Sequence, residues 1–252
     1  MSGDRQRLLA AEGLTKTFGG LRAVIDVSFT VAEGEILGLV GPNGSGKTTV
    51  LNLIAGALRT DAGRVRLAGR DITRLPPSTR TRLGIARTFQ LVRPLRNLSA
   101  ADNVLVARLY GRDRADFSAA RSDSLRLLDL VGLRGKAQML ATRLTLTERK
   151  RLEIARALAT QPIVLLLDEP LSGLNPTEVD TALSLLRTIR KVGITLVIVE
   201  HNVRAVRALC DRVVVLNSGR QVVEGAPAVA LSRPEVIEVY LGTRSARAGF
   251  GA

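Results

Sequence analysis

Gly41-Pro42-Asn43-Gly44-Ser45-Gly46-Lys47-Thr48 fills the pattern G-x-x-x-x-G-K-[ST], between the apolar run Glu35 to Val40 and the helix-like stretch Thr49 to Ala55. Strand, glycine-rich loop, helix is the order in which this pattern cradles a nucleoside triphosphate. A polyphosphate needs many inward-pointing donors at close range, and side chains would block its approach. Gly41, Gly44 and Gly46 remove that obstruction, so the N–H groups from Gly41 through Pro42, Asn43 and Ser45 to Thr48 can form a nest, apart from proline, which has none. The helix starting near Lys47 adds its positive end. Lys47 is expected to bridge the outer phosphates and the Thr48 hydroxyl to ligate Mg2+, with Thr49 a weaker second hydroxyl.

A second stretch completes the chemistry. Ile163-Val164-Leu165-Leu166-Leu167 is wholly apolar, the pattern of a central parallel strand covered on both faces, and it delivers Asp168 and Glu169 to the carboxyl edge of the sheet, where ligands bind. Asp168 suits magnesium, directly or through water. Glu169 can accept a proton from the attacking water or hold that water in line.

The chain has 252 residues, enough to bury the core of one large α/β domain. Its formal charge is +14, and 32 of its 37 basic residues are arginine, spread along the whole length. That spread suits a cationic surface facing an anionic membrane better than a localised nucleic-acid groove, and a biased genome composition accounts for it equally well. The single cysteine, Cys210, excludes an internal disulfide and is expected to pack. Met1 to Arg7 lacks an apolar signal core, and no stretch approaches the ~20 apolar residues of a membrane span.

The opening third alternates β-like runs with turns, Val24 to Val31, Ile36 to Val40 and Arg64 to Leu67, which predicts an antiparallel layer beside the nucleotide-binding sheet. From Leu98 to Ala159 the pattern is helical, with Leu125, Leu128, Leu130 and Val131 as an apolar face. Strands return at Ile163, Ile194 to Val199 and Val213 to Leu216. Pro227, Pro234 and the run Ser245 to Gly251 mark an appendage.

With five further positions the chain resembles the ATP-binding subunits of ABC transporters from about Leu8 to Gly242. The resemblance implies an α/β P-loop NTPase fold with a RecA-like parallel-sheet core, an antiparallel β layer and an inserted helical subdomain. It makes 1–252 a single ABC ATPase domain: 1–92 and 160–225 the nucleotide-binding core, 93–159 the helical subdomain, 226–252 the appendage. It implies ATP as substrate with Mg2+. Gln90, in Arg87-Thr88-Phe89-Gln90, falls on the family's glutamine that touches magnesium and the attacking water. His201, the only histidine, follows Val199-Glu200 as the family's γ-phosphate-contacting histidine does. Phe18 occupies the place of the aromatic residue that stacks on adenine, with a core role as its alternative. The loop Ser172-Gly173-Leu174-Asn175 matches the family's dimer contact, with asparagine replacing the usual aspartate.

The largest departure is Leu144-Thr145-Leu146-Thr147-Glu148, where the family has Leu-Ser-Gly-Gly-Gln. In the family this helix end serves the γ-phosphate held by the opposite subunit. Thr145 keeps the hydroxyl, Leu146 and Thr147 add β-carbons where glycines allow close approach, and Glu148 adds negative charge. The expectation is an asymmetric pair, in which a related subunit supplies a good signature to the Lys47 site while Thr145 to Glu148 serve the partner's site less well; the opposite arrangement is an active homodimer.

Phe18-Gly19-Gly20-Leu21, Arg151 to Arg156, Gly173 to Pro176 and the tail Pro234 to Gly242 are similar to the branched-chain amino-acid importers within the family. That similarity implies transmembrane permease subunits, a second ABC ATPase and a periplasmic substrate-binding protein as partners. The chain would then lie peripherally on the cytoplasmic face of the inner membrane. Urea or amide importers and the lipopolysaccharide-export ATPase are alternatives. A nucleic-acid-associated ABC ATPase is disfavoured, because the short stretch Leu91 to Arg143 holds no heptad coiled coil and only one nucleotide domain is present; no nucleic acid is expected as a partner.

Overall fold

Leu9, Ala11, Val27, Phe29 and Val31 are buried while Ser28 between two of them is exposed, the period-two signature of a sheet with one covered face. The computed structural model describes residues 6–89, 94–113 and 115–241. The chain opens with β1 (Arg7–Phe18), β2 (Leu21–Ala32), β3 (Ile36–Val40), α1 (Lys47–Ala55), β4 (Ala62–Leu67) and β5 (Arg70–Asp71). Then follow α2 (Pro77–Arg82), β6 (Ile85–Arg87), α3 (Ala100–Leu109), α4 (Phe117–Leu130), α5 (Leu146–Ala159), β7 (Val164–Asp168) and α6 (Pro176–Lys191). It finishes with β8 (Thr195–Val199), α7 (Val203–Leu209), β9 (Arg212–Asn217), β10 (Arg220–Gly225), α8 (Pro227–Ala230) and α9 (Pro234–Leu241). The described residues form two compact units, one of 6–74 with 197–241 and one of 75–196.

In the first unit β2, β1, β4 and β5 form the expected antiparallel layer in that spatial order. Leu9 stands opposite Val31 on one side and Leu67 on the other. The register of β1 against β2 shifts between Ala11 and Leu14, where Gly13 takes φ 61°, a bulge that only a residue at ease in the left-handed region accommodates. Elsewhere in this unit β3 runs parallel to β9, and β9 pairs antiparallel with β10. All five residues of β3 are buried, as two covered faces demand. Val40, Val206, Val213, Val215, Val223, Ala230, Leu231 and Val236 form one apolar cluster, which draws in residues from α7, α8 and α9. Cys210 packs against it, and burial pushes its thiol up to about 12, so its expected packing role holds.

In the second unit β6 and β7 run parallel, with Arg87 opposite Leu166. The helical stretch read from the sequence is α3, α4 and α5. The apolar face expected on α4 is different: its buried residues are Ala120, Ser124 and Leu128, an i, i+4, i+8 stripe, and Leu130 is left exposed. Leu128 and Val131 are buried as expected. On α6, Leu183, Leu186 and Ile189 form the buried edge. Among the described residues no helix is long and apolar enough to cross a membrane.

Candidate active site

Gly41 leaves β3 at φ 145°, and a β-carbon there would lie 2.1 Å from the Leu216 carbonyl oxygen and 2.8 Å from Ser45 Oγ. Gly46 precedes α1 at φ 101°, and its β-carbon would lie 2.5 Å from the Ala23 carbonyl oxygen. Gly44, at φ 79°, has open space where a side chain would be. The first two glycines therefore let the loop sit against the protein's own backbone, and the third leaves its outer face bare. Lys47 is buried, and its ammonium donates to the carbonyls of Gly41 and Pro42, 2.8 Å each. No side chain caps α1 and its first turn carries no acid, which leaves its end positive along the helix itself. Ser45 is buried, Thr49 half-buried, and Asn43 and Thr48 are exposed.

Phe18 and His201 belong to the same unit as this loop. Phe18 ends β1 with 43% of its surface exposed, which removes the core alternative. The Lys16 ammonium stands 5.6 Å from its ring centroid and is held there by Asp61 at 2.6 Å. The Lys16 hydrogen bond lowers the Asp61 carboxyl below its ordinary value. His201 is exposed, just beyond buried Glu200, whose Oε2 accepts the His201 backbone N–H at 3.3 Å. Gln90 lies outside the described residues.

The second unit carries the acids. All of β7 is buried, and Asp168 at its end accepts from Arg87 Nη2 at 2.9 Å. Glu169 is half-buried with φ 49°, a left-handed backbone that a residue with a β-carbon rarely adopts. A cavity of about 20 Å³, room for one water, is lined by Thr88, Lys150, Glu153, Asp168 and Glu169 among others. Glu153 is buried there, and its Oε1 accepts the Phe89 N–H at 2.7 Å. Burial raises its carboxyl to about 7, against the lowering effects of that hydrogen bond and of Arg156, Lys150 and Arg87.

The segment that departs from the family pattern is folded by its own side chains. Thr145 N-caps α5 in a capping box: its hydroxyl accepts the Glu148 N–H at 3.3 Å, and Glu148 accepts the Thr145 N–H at 3.0 Å. Lys136 pairs with Glu148 and lowers its carboxyl, so the added negative charge is countered within the unit. The Thr147 hydroxyl donates to Glu178 at 3.0 Å. Glu178 is also the third residue of a second capping box, closed with Asn175 at the start of α6. Asparagine at 175 therefore supplies a cap acceptor, as an aspartate would. Leu144 is buried and Leu146 exposed. Gly173 is at φ 72°, and Ser172 donates its N–H to the Glu169 carbonyl at 3.2 Å.

Sequence reasoning did not single out Arg87, Lys150, Glu153 or Glu178, whose partners are 81, 19 to 22, 64 and 31 residues away. Magnesium takes oxygen donors, and each unit by itself offers one: the first an exposed Thr48, the second the Asp168 carboxylate. Among the described residues no group of three or more His, Cys, Asp or Glu could hold a metal. An ion shared between one or two protein oxygens and substrate phosphates needs none.

The ABC transporter family matches residues 24–172. The high-affinity branched-chain amino acid transport ATP-binding protein LivG of Salmonella typhimurium is 38% identical over 251 residues, 94% of this chain and 98% of that protein. A probable ABC transporter ATP-binding protein of Azorhizobium caulinodans is 40% identical over 234 residues, 93% of this chain and 83% of that protein. A solved ATP-binding cassette of an ABC transporter, in its ADP conformation, matches with a TM-score of 0.86 at 30% identity, over 94% of this chain and 99% of that one. With a glycine-rich phosphate loop after β3 and a buried, acid-terminated β7, the chain belongs to the ABC transporter family and has the α/β fold of its ATP-binding cassettes.

Proposed function

We propose that this chain is the ATP-hydrolysing motor of an importer for branched-chain amino acids or related small polar molecules. The observation that carries the ATPase chemistry is the loop at Gly41 to Thr48, bare on its outer face at Gly44 and holding a buried lysine. Relatives named for branched-chain amino acid transport, alike over nearly their whole length, support the cargo.

Each role follows from a side chain's chemistry. Lys47 and the loop N–H groups bind the phosphates, and Phe18 offers an exposed face for the adenine. The attacking water's oxygen bonds to the γ-phosphorus as the bond to the bridging oxygen breaks, and Glu169 takes or orients the water's proton. His201 contacts the γ-phosphate. A magnesium ion, held by Thr48 and Asp168 with Gln90, would neutralise charge on the phosphates. Catalysis is then mainly positioning and electrostatics.

Two such subunits act as a pair beside transmembrane permeases, with Ser172 to Asn175 as dimer loop and Leu144 to Glu148 serving the partner's nucleotide. Thr145 keeps the family's hydroxyl at this helix end, where it caps α5. Residues 93–159 are the helical subdomain and 226–252 the appendage. A periplasmic binding protein delivers the cargo, and the chain works at the cytoplasmic face of the inner membrane.

The test is uptake of labelled leucine into cells carrying the chain with its permeases. Import that stops with Lys47→Ala and with Glu169→Gln supports the proposal. Hydrolysis that persists while leucine, isoleucine and valine neither enter nor stimulate it would remove the cargo and leave the ATPase.

A further inference from the structure

Lys150 stands on α5, one turn beyond the Thr145 cap. Its ammonium faces three backbone carbonyls of a single turn: Glu169 and Pro170, each at 3.4 Å, and Ser172, closer still. That turn begins at Glu169, whose left-handed backbone at φ 49° is strained and persists only where the surroundings over-determine it. Carbonyl dipoles pointed at a common centre repel one another unless a cation sits among them. Pro170 has no N–H, and within the turn the Ser172 N–H closes back on the Glu169 carbonyl at 3.2 Å. A compact ammonium, whose three donors diverge, suits such a centre better than a planar guanidinium.

Glu153 lies three residues further along α5, on the same face as Lys150. It holds the Phe89 N–H at 2.7 Å, at the end of the segment leaving β6. One face of α5 therefore grips both the turn carrying Glu169 and the strand end that precedes it in the chain by some eighty residues. The two grips differ in kind: a cation on carbonyls, and a carboxyl on an amide.

We propose that Lys150 is a positioning residue for hydrolysis, fixing the left-handed backbone of Glu169, and so the placement of its carboxylate, from the helix that Thr145 caps. It acts through the turn, not on substrate. The proposal rests on Glu169 being the base, so Glu169→Gln serves as its control.

The experiment uses the full chain co-purified with its permeases. Wild type, Lys150→Met, Lys150→Gln, Lys150→Arg and Glu169→Gln are compared by MgATP calorimetry, steady-state hydrolysis and hydrogen exchange. For Lys150→Met, MgATP affinity is expected to stay within about 2-fold while kcat falls about 10-fold or more. Exchange at the Ser172 and Leu174 amides rises, while that of buried α5 amides does not. Lys150→Gln, which keeps donors, shows the same direction with a smaller loss and stands in should the methionine variant not fold. Lys150→Arg falls between Lys150→Met and wild type. Wild-type kcat in the methionine and glutamine variants, with Glu169→Gln inactive, overturns the proposal. An active Glu169→Gln overturns the assignment of the base instead, and the proposal with it. Equal losses of affinity and kcat, with exchange raised throughout α5, mark Lys150 as merely structural and also overturn it.

Discussion

Arg87 Nη2 lies 2.9 Å from Asp168 Oδ2, with 7% and 1% of the two side chains exposed. The acid assigned to magnesium thus has a fixed protein cation beside it, set there by strands β6 and β7, which pair in parallel. The ring of Phe89, 5.1 Å from the Arg87 guanidinium carbon, lies on the same cation. Removing one member of a buried pair leaves the other charge without its closest counterpart.

Arg87→Met is accordingly expected to lower the unfolding free energy by about 3–5 kcal/mol. Urea titration followed by circular dichroism measures it. A loss below about 1 kcal/mol would mean that the other contacts of Asp168 carry its charge.

Gly41→Ala and Gly44→Ala separate backbone collision from mere torsional strain. Both glycines have positive φ, but only at Gly41 does an added carbon strike another group, at 2.1 Å from a carbonyl oxygen. Gly44→Ala should cost about 1 kcal/mol, and Gly41→Ala at least 3 kcal/mol together with nucleotide binding. Thermal melts with and without MgATP rank them, and equal melting points would refute the contrast.

Glu153 gives a pH dependence of definite sign. Its carboxyl is raised from 4.5 to about 7 in the folded chain, chiefly by burial, despite Arg156, Lys150 and Arg87 nearby. Between those values the folded chain holds a proton that the unfolded chain has lost. Stability therefore falls as pH rises from about 4.5 to about 7 and is flat from this group on either side. Subtracting the urea-derived stability of Glu153→Gln isolates the contribution, on the order of 3 kcal/mol across the window. A difference curve without slope there would contradict it.

Thr145→Ala removes the cap of α5 and should destabilise the chain by about 1 kcal/mol. If the hydroxyl also serves a neighbouring subunit's phosphate, the loss of hydrolysis in the assembled transporter exceeds what that destabilisation explains. Thr145→Ser restores both. Hydrolysis untouched by Thr145→Ala would limit this residue to the cap.

The parts legible in the sequence were those written in local chemistry. Glycines at 41, 44 and 46 and the lysine at 47 state their loop through spacing, and the runs of β3 and β7 state two-sided burial through composition alone. Strand β1 was not foreseen over its length. Gly13 interrupts its alternation, and the bulge at Ala11 to Leu14 shifts which residues face inward. On α4 the apolar leucines misled, because the helix buries alanine and serine at close packing and leaves Leu130 outside. Arg87, Lys150, Glu153 and Glu178 gave no signal: a charged residue looks alike in sequence whether it faces water or a partner far along the chain.

The wall that confines residue 41 is the peptide oxygen of Leu216, not that residue's side chain. Every amino acid carries that oxygen, so no exchange at 216 can make room for a larger neighbour. Second-site suppressors of a Gly41 replacement would have to displace the β9 backbone itself, and a genetic screen at position 216 should come back empty.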